Sequence, residues 1–266
     1  MANATARIAT TAQIDSSTPR CTYGASSTAQ TFYPNEFVAL NSSGYLVKAD
    51  DTAAVLFAGL VDSAVAIEVP SGGSNGDVTI TVARPPEFDA YIASAAITDV
   101  GKHVFCLYSN ELSFAPGLSY FTYAGRVVRY VNATTVRVRA HYLQPAPVVK
   151  VTMPYTAAST DTSHFVADKA YRVKAITHRV DVAGTDAGAV TGQPVKAASG
   201  TAIGSGTALS AATANLKSTA ATNTTVAVHG TSANLDVAAG TCVGLDFTGV
   251  MTAAVGSFQI DLVPVS

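Results

Sequence analysis

Residues 124–143 constrain the fold more than any other stretch. Val136, Val138 and Ala140 alternate there with Arg137, Arg139 and His141. A period of two belongs to a strand with one face packed and one face wet. The residues before it, Arg126-Val127-Val128-Arg129-Tyr130-Val131, are equally strand-prone, and Asn132-Ala133-Thr134 forms a turn between the two runs. A hairpin follows, with arginines on its outer face. Such a face suits a reaction centre, a nucleic-acid surface or a docking surface, and the rest of the chain must decide among them.

The chain has 266 residues, enough for one large domain or two ordinary ones. Apolar residues make up 48%, which excludes a disordered chain, while charged residues make up only 13%. A surface this poor in charge is expected to face other protein. A net charge of -2 gives no general attraction for nucleic acid or membrane. No run of 18 apolar residues marks a membrane span, and residues 1–20 lack the basic start and apolar core of a signal peptide. Cys21, Cys106 and Cys242 lie far apart and read as reduced structural thiols; the alternative is one disulfide and one free thiol.

Residues 1–30 hold only Ile8 and Ile14 as large aliphatic side chains and read as an extended arm without a core. From Thr31 the texture changes. Strands are expected at 37–40, 45–47, 56–61, 64–69, 77–82, 104–108, 112–114 and in the 127–143 pair, with one short helix at 87–96. Short strands at this spacing imply a small barrel or sandwich over 31–144. Pro145-Ala146-Pro147 reads as a linker. Beyond it, residues 148–266 carry strand patterns at 148–153, 171–181, 189–197, 225–229, 242–247 and 258–263 between glycine-rich turns. A helix or long loop is expected at 208–216. This half fits a β-sandwich of jelly-roll type, so the fold class is all-β throughout. The two halves do not read as repeats of each other.

Catalytic signatures are thin. Ile203-Gly204-Ser205-Gly206 lacks the spacing and strand–turn–helix setting of a nucleophile elbow, and no Walker loop occurs. His178 and Asp181 suit opposite strand faces rather than convergent ligands, and His164 with Asp161 and Asp168 reads as a solvated loop. With 4 Glu in the chain, paired carboxylates are scarce; Asp50-Asp51, Asp181/Asp186 and Asp246/Asp261 read as solvated. Asn-x-Ser/Thr strings at Asn3, Asn41, Asn132 and Asn223 are the chance product of a Ser/Thr-rich chain. No catalytic residue, cofactor site or metal site is assigned. The arginines Arg126, Arg129, Arg137 and Arg139 remain. RNA-reading sheets add exposed aromatics that stack bases, and only Tyr130 and Tyr142 are at hand. A solvated or protein-docking face is the better reading.

The order of elements also resembles a known family. The carriers are Phe37-Val38-Ala39-Leu40 with the Asn41-Ser42-Ser43-Gly44 turn, Phe57-Ala58-Gly59-Leu60-Val61, Gly76-Asp77-Val78-Thr79-Ile80, Gly101-Lys102-His103-Val104 and Ala124-Gly125-Arg126-Val127-Val128. Over about residues 30–143 this is similar to the small β-barrel, β-tulip-like decoration or cement proteins of tailed-bacteriophage heads. The second half, with Ala170-Tyr171-Arg172-Val173, Val182-Ala183-Gly184-Thr185-Asp186 and Gly244-Leu245-Asp246-Phe247-Thr248-Gly249, resembles β-sandwich modules appended to phage virion proteins. Simple decoration proteins have one small domain, so the second module departs from the pattern.

The resemblance implies a non-enzymatic protein on the capsid exterior, made in the bacterial cytoplasm. It implies the major capsid protein as partner and a homo-oligomer, a trimer with a dimer as alternative, with no nucleic acid and no membrane. It places capsid contacts on the arm at Arg7, Ile8, Ile14 and Arg20, and subunit contacts at Arg126, Arg129, Arg137 and Arg139, paired to carboxylates such as Asp50 and Asp51 of another copy. Ordering an arm costs about 1–2 kcal/mol per residue. Two buried isoleucines return a few kcal/mol. Backbone pairing to a capsid strand would supply the rest. A virion receptor- or glycan-binding module is the competing expectation.

Overall fold

The structure, a computed structural model, describes residues 16–49, 54–117 and 121–265. The chain divides into two compact units, residues 1–146 and 147–264. Both are built almost wholly of antiparallel sheet.

In the first unit the strands are β1 (Arg20–Gly24), β2 (Gln30–Phe32), β3 (Phe37–Asn41), β4 (Leu46–Lys48), β5 (Ala54–Val61), β6 (Ile67–Val69), β7 (Thr79–Ala83), β8 (Glu87–Tyr91), β9 (His103–Tyr108), β10 (Glu111–Ser113), β11 (Tyr123–Asn132) and β12 (Thr135–Ala140). They make two five-stranded sheets, ordered β1-β7-β5-β3-β4 and β8-β12-β11-β9-β10. The connectivity is the same in both. Each begins with an edge strand, continues with a hairpin and a third strand beside it, and inserts its last strand between the third and the first. A parallel bridge, Ala25–Leu46 in one sheet and Ile92–Leu112 in the other, ties the end of the first strand to the second strand of the hairpin.

The correspondence reaches single residues. Val38 and Val104, Leu46 and Leu112, Ala58 and Ala124, Gly59 and Gly125, and Val61 and Val127 are identical pairs 66 positions apart. Val38 faces Gly59 and Ala39 faces Phe57, skipping Ala58; Val104 faces Gly125 and Phe105 faces Tyr123, skipping Ala124. The same bulge thus bends the same strand in each sheet. Gly59 and Gly125 have φ of 142° and 149°, and a Cβ on either would overlap a carbonyl oxygen of the adjoining strand, Ala83 or Arg139. Only glycine fits such a position. The first unit is therefore a tandem repeat of one five-stranded module within the all-β fold class expected.

The modules pack differently. Val38, Leu46, Ala58, Ile80 and Val82 line one face of the first sheet, covered by Phe32 and Val69 from the β2–β6 pair. Their equivalents Val104, Leu112, Ala124, Val136 and Val138 are covered instead by Phe37, Ala39, Val47, Phe57 and Leu60 from the opposite face of the first sheet. Phe37, Phe57 and Phe88 pack at centroid distances of 5.7–6.1 Å across this seam.

Several expectations are corrected. Residues 87–96 form no helix: Glu87–Tyr91 is strand β8, with Phe88 and Ala90 inward and Glu87 and Asp89 outward, a period of two rather than 3.6. The arm ends earlier than residue 30. Arg20–Gly24 forms the edge strand β1 along β7, and Ala25 is buried in the core. Its mixed Arg-Cys-Thr-Tyr-Gly sequence hides it, because the ladder with β7 holds it and only Tyr23 packs on the core. Residues 1–15 lie outside the described residues, and so do Asp50 and Asp51.

The second unit contains β13 (Val149–Tyr155), β14 (Thr162–Val166), β15 (Tyr171–Val182), β16 (Thr191–Ala197), β17 (Thr207–Ala208), β18 (Ala214–Asn215), β19 (Thr222–Val226), β20 (Asp236–Val237), β21 (Cys242–Thr248) and β22 (Val255–Pro264). One sheet runs β13-β22-β15-β19, with β20 beside β15. The other runs β14-β21-β16-β17, with β18 beside β16. Met153, Ile176, Phe258, Ile260 and Leu262 meet Val243 and Leu245 in one core, a sandwich-like arrangement. Residues 208–216 hold two short strand ends and no helix.

Candidate functional site

The arginine face lies on the second module. Strand β12 runs between β8 and β11, so each of its outward residues has a neighbour on both sides. Arg139 faces Glu87 on one side and Arg126 on the other; Arg137 faces Asp89 and Arg129. Arg126 and Arg129 are three apart, a spacing that puts strand residues on opposite faces. A bulge at Val128 restores Arg129 to the outer face. All four arginines expected to cluster are therefore brought together.

Two of them are paired within the chain. Arg137 donates to both carboxylate oxygens of Asp89, at 2.7 and 2.8 Å, and this holds its guanidinium above its ordinary pKa. Arg139 donates to Glu87 Oε1 at 3.0 and 3.3 Å. These two arginines thus find carboxylates on the neighbouring strand, while Asp50 and Asp51 lie outside the described residues. Arg126 and Arg129 are exposed, and no carboxylate among the described residues forms an ion pair with either.

An open cleft of about 1180 Å³ lies over the paired end of this face. Its walls are Ser17-Thr18-Pro19, the Arg84-Pro85-Pro86 connection between the modules, and Tyr142. Arg84 donates Nε to the Ala58 carbonyl at 3.0 Å, reaches the Tyr23 hydroxyl, and sits 5.8 Å from the Tyr142 ring centre. Tyr142 donates to the Pro85 carbonyl at 2.5 Å, and burial raises its hydroxyl well above the ordinary range. Ion pairs and a locked tyrosine make this a rigid polar wall. Arg20, expected on a capsid-binding arm, sits in β1 with Nε 2.5 Å from Asp62 Oδ2. Arg7, Ile8 and Ile14 lie outside the described residues.

The second unit's polar residues do not converge on chemistry. Asp161 accepts from the Phe247 amide at 2.9 Å, and Asp168 accepts from the Tyr171 hydroxyl. Burial raises Asp246, and the nearby Asp161 raises it further. Burial lowers His164. Among the described residues no three His, Cys, Asp or Glu side chains are placed to hold a metal ion, and no helix is long and apolar enough to cross a membrane. Cys21, Cys106 and Cys242 are unbridged.

His178 is the polar residue the sequence leaves unexplained. It is 2% exposed, with Nε2 2.9 Å from the Tyr155 hydroxyl and its ring stacked 4.4 Å from Phe258. The one available signal is its place in a run of inward residues, Val173, Ile176 and Val180, on the longest strand. It is a satisfied core histidine.

Comparison with known proteins adds little. No family model matches the chain, and no curated protein matches it. Two solved structures of infectious bursal disease virus align. The Gx strain structure does so at 11% identity, over 93% of this chain and 72% of that one, with a TM-score of 0.23. The Gt strain structure gives 10% identity, 97% and 85% coverage, and a TM-score of 0.14. Scores this low do not establish a common fold.

Proposed function

We propose that the chain is a non-enzymatic structural protein of a virion, which binds the outer capsid surface and stabilises the expanded head. The observation that carries this reading is the surface of the first unit. It combines a rigid outward arginine face with apolar side chains left in water. Ile97 and Val100, flanking one short turn, are 68% and 45% exposed, and Val65 is 68% exposed. A chain with only 13% charged residues that also exposes such groups is suited to docking on protein.

The resemblance to phage head decoration proteins supplies the partner, the major capsid protein, and the homo-oligomeric state. Arg7, Ile8 and Ile14 are the proposed capsid contacts of residues 1–15. Arg20, which pairs with Asp62 from β1, is a further proposed contact.

Mass spectrometry of purified virions tests the reading. Capsid-like copy number is the expected result, and a handful of copies per particle rejects it in favour of a fibre or adaptor. Deleting residues 2–15 is expected to abolish capsid binding while the first unit stays folded. Undiminished binding removes the arm from the account.

A further inference from the structure

The two rows of charge on the second module are unbalanced. Across the strands they read Glu87, Arg139, Arg126 and Asp89, Arg137, Arg129. Two carboxylates serve four guanidiniums. The pairs Arg126/Arg139 and Arg129/Arg137 are like charges directly opposite on adjacent strands, an arrangement that destabilises a sheet. A bulge is spent to bring Arg129 into it, since an unbroken β11 would have turned that residue inward. Asp89 is held at both carboxylate oxygens and Glu87 at Oε1, while Arg126, flanked by His103 on β9, and Arg129 are exposed and form no ion pair among the described residues.

We infer that the Arg126/Arg129 edge of this face is a docking strip for a carboxylate-rich segment of a partner protein. Guanidiniums on adjacent positions of a strand match carboxylates two residues apart on an extended acidic segment, and each can be gripped at two points. Nucleic acid fits less well. Tyr130 stands opposite the inward-facing Val136, and Tyr123, whose ring packs on His103 across from Arg126, is 3% exposed, so neither tyrosine offers a base an open face. This inference rests on the docking reading above only for the statement that the partner is a protein.

The test uses the full chain and a fluorescein-labelled hexaglutamate peptide, followed by anisotropy at low salt. Saturable binding is expected, weakening about tenfold or more in Arg126→Gln/Arg129→Gln and falling steeply with salt. The same double variant is expected to unfold at a higher temperature than the parent, because the opposed charges are gone. Both residues are exposed, so loss of binding cannot be put down to misfolding if that midpoint rises. No saturable binding, or equal binding by the variant, overturns the inference. A single-stranded oligonucleotide binding more tightly than the peptide also overturns it. Virion copy number is read separately, so failure of the strip and failure of the virion assignment are distinguishable.

Discussion

Arg137 holds Asp89 through two parallel hydrogen bonds, Nε to Oδ1 at 2.7 Å and Nη2 to Oδ2 at 2.8 Å, across the seam between β12 and the edge strand β8. The arginine side chain is 36% exposed, so solvent limits the pair to about 1 kcal/mol. Asp89→Asn is expected to lower the stability of the first unit by about that amount, read by urea unfolding. A double-mutant cycle with Arg137→Gln should return a coupling of about 0.5–1 kcal/mol. Zero coupling would mean that water serves the two groups equally well.

Gly59 and Gly125 answer to one steric rule. Alanine at either position drives a Cβ into the carbonyl of Ala83 or Arg139 at a φ that side chains rarely adopt. Gly59→Ala and Gly125→Ala are each expected to cost at least about 2 kcal/mol, visible as a lower urea midpoint. Gly44 has φ of 83°, but a Cβ added there would meet nothing within 4 Å. The same substitution at Gly44 should cost less, about 1 kcal/mol.

His178 makes the second unit sensitive to acid. Burial lowers its pKa from 6.5 to about 4. The unfolded chain then binds the proton more readily than the folded one, so this contribution to stability is complete above about pH 6.5 and is lost as pH falls toward 4. The loss amounts to about 3 kcal/mol. Hydrogen exchange over residues 171–182 at pH 7 and pH 4.5 reads it, after correction for the intrinsic exchange rate. His178→Gln should flatten the difference; an unchanged slope would locate the acid sensitivity elsewhere.

Tyr155 is the hydrogen-bond partner of that histidine, and Gly256 leaves the space its hydroxyl needs. Tyr155→Phe keeps the ring and strands a buried imidazole nitrogen. The expected cost is about 1–2 kcal/mol in the second unit, with the first unit's unfolding unchanged.

Truncation separates the first fifteen residues from the sheet that follows them. Removing residues 2–24 takes away β1, the Arg20–Asp62 pair and the edge cover of β7. Circular dichroism should show a lower melting temperature than for removal of residues 2–15 alone.

Most strands are legible in the sequence because they alternate. Residues 136–140 announce their inward and outward faces, and β5, β15 and β22 carry enough Val, Ile, Leu or Phe to do the same. β1 and β14 are hidden, since Arg20-Cys21-Thr22-Tyr23 and Thr162-Ser163-His164 gain their place from a neighbour's ladder rather than from burial. β8 reads as a helix because Glu87 and Ala90 favour one locally, while tertiary pairing with β12 decides the outcome. The arginine cluster is legible from β12 alone. Its counter-charges are not, because Glu87 and Asp89 lie about fifty positions upstream in the segment whose local preference misleads. The 66-residue repeat is silent in the sequence, since its identities are Val, Leu, Ala, Ser and Gly, residues common throughout the chain, and they carry no signal until the bulges align them.

The two modules share a path but not the same independence. Where the first carries Phe37, Phe57 and Leu60, the second carries His103, Tyr123 and Arg126 at the matching places. One copy has kept an oily back and its sister has exchanged that back for ionisable and hydroxyl groups. Severed at Arg84-Pro85-Pro86, the leading half would bare three large apolar side chains and cling to whatever it met, while the trailing half would lose the lid over its own interior. The shared seam makes the two modules obligate companions, and the short diproline joint keeps each always within reach of the other.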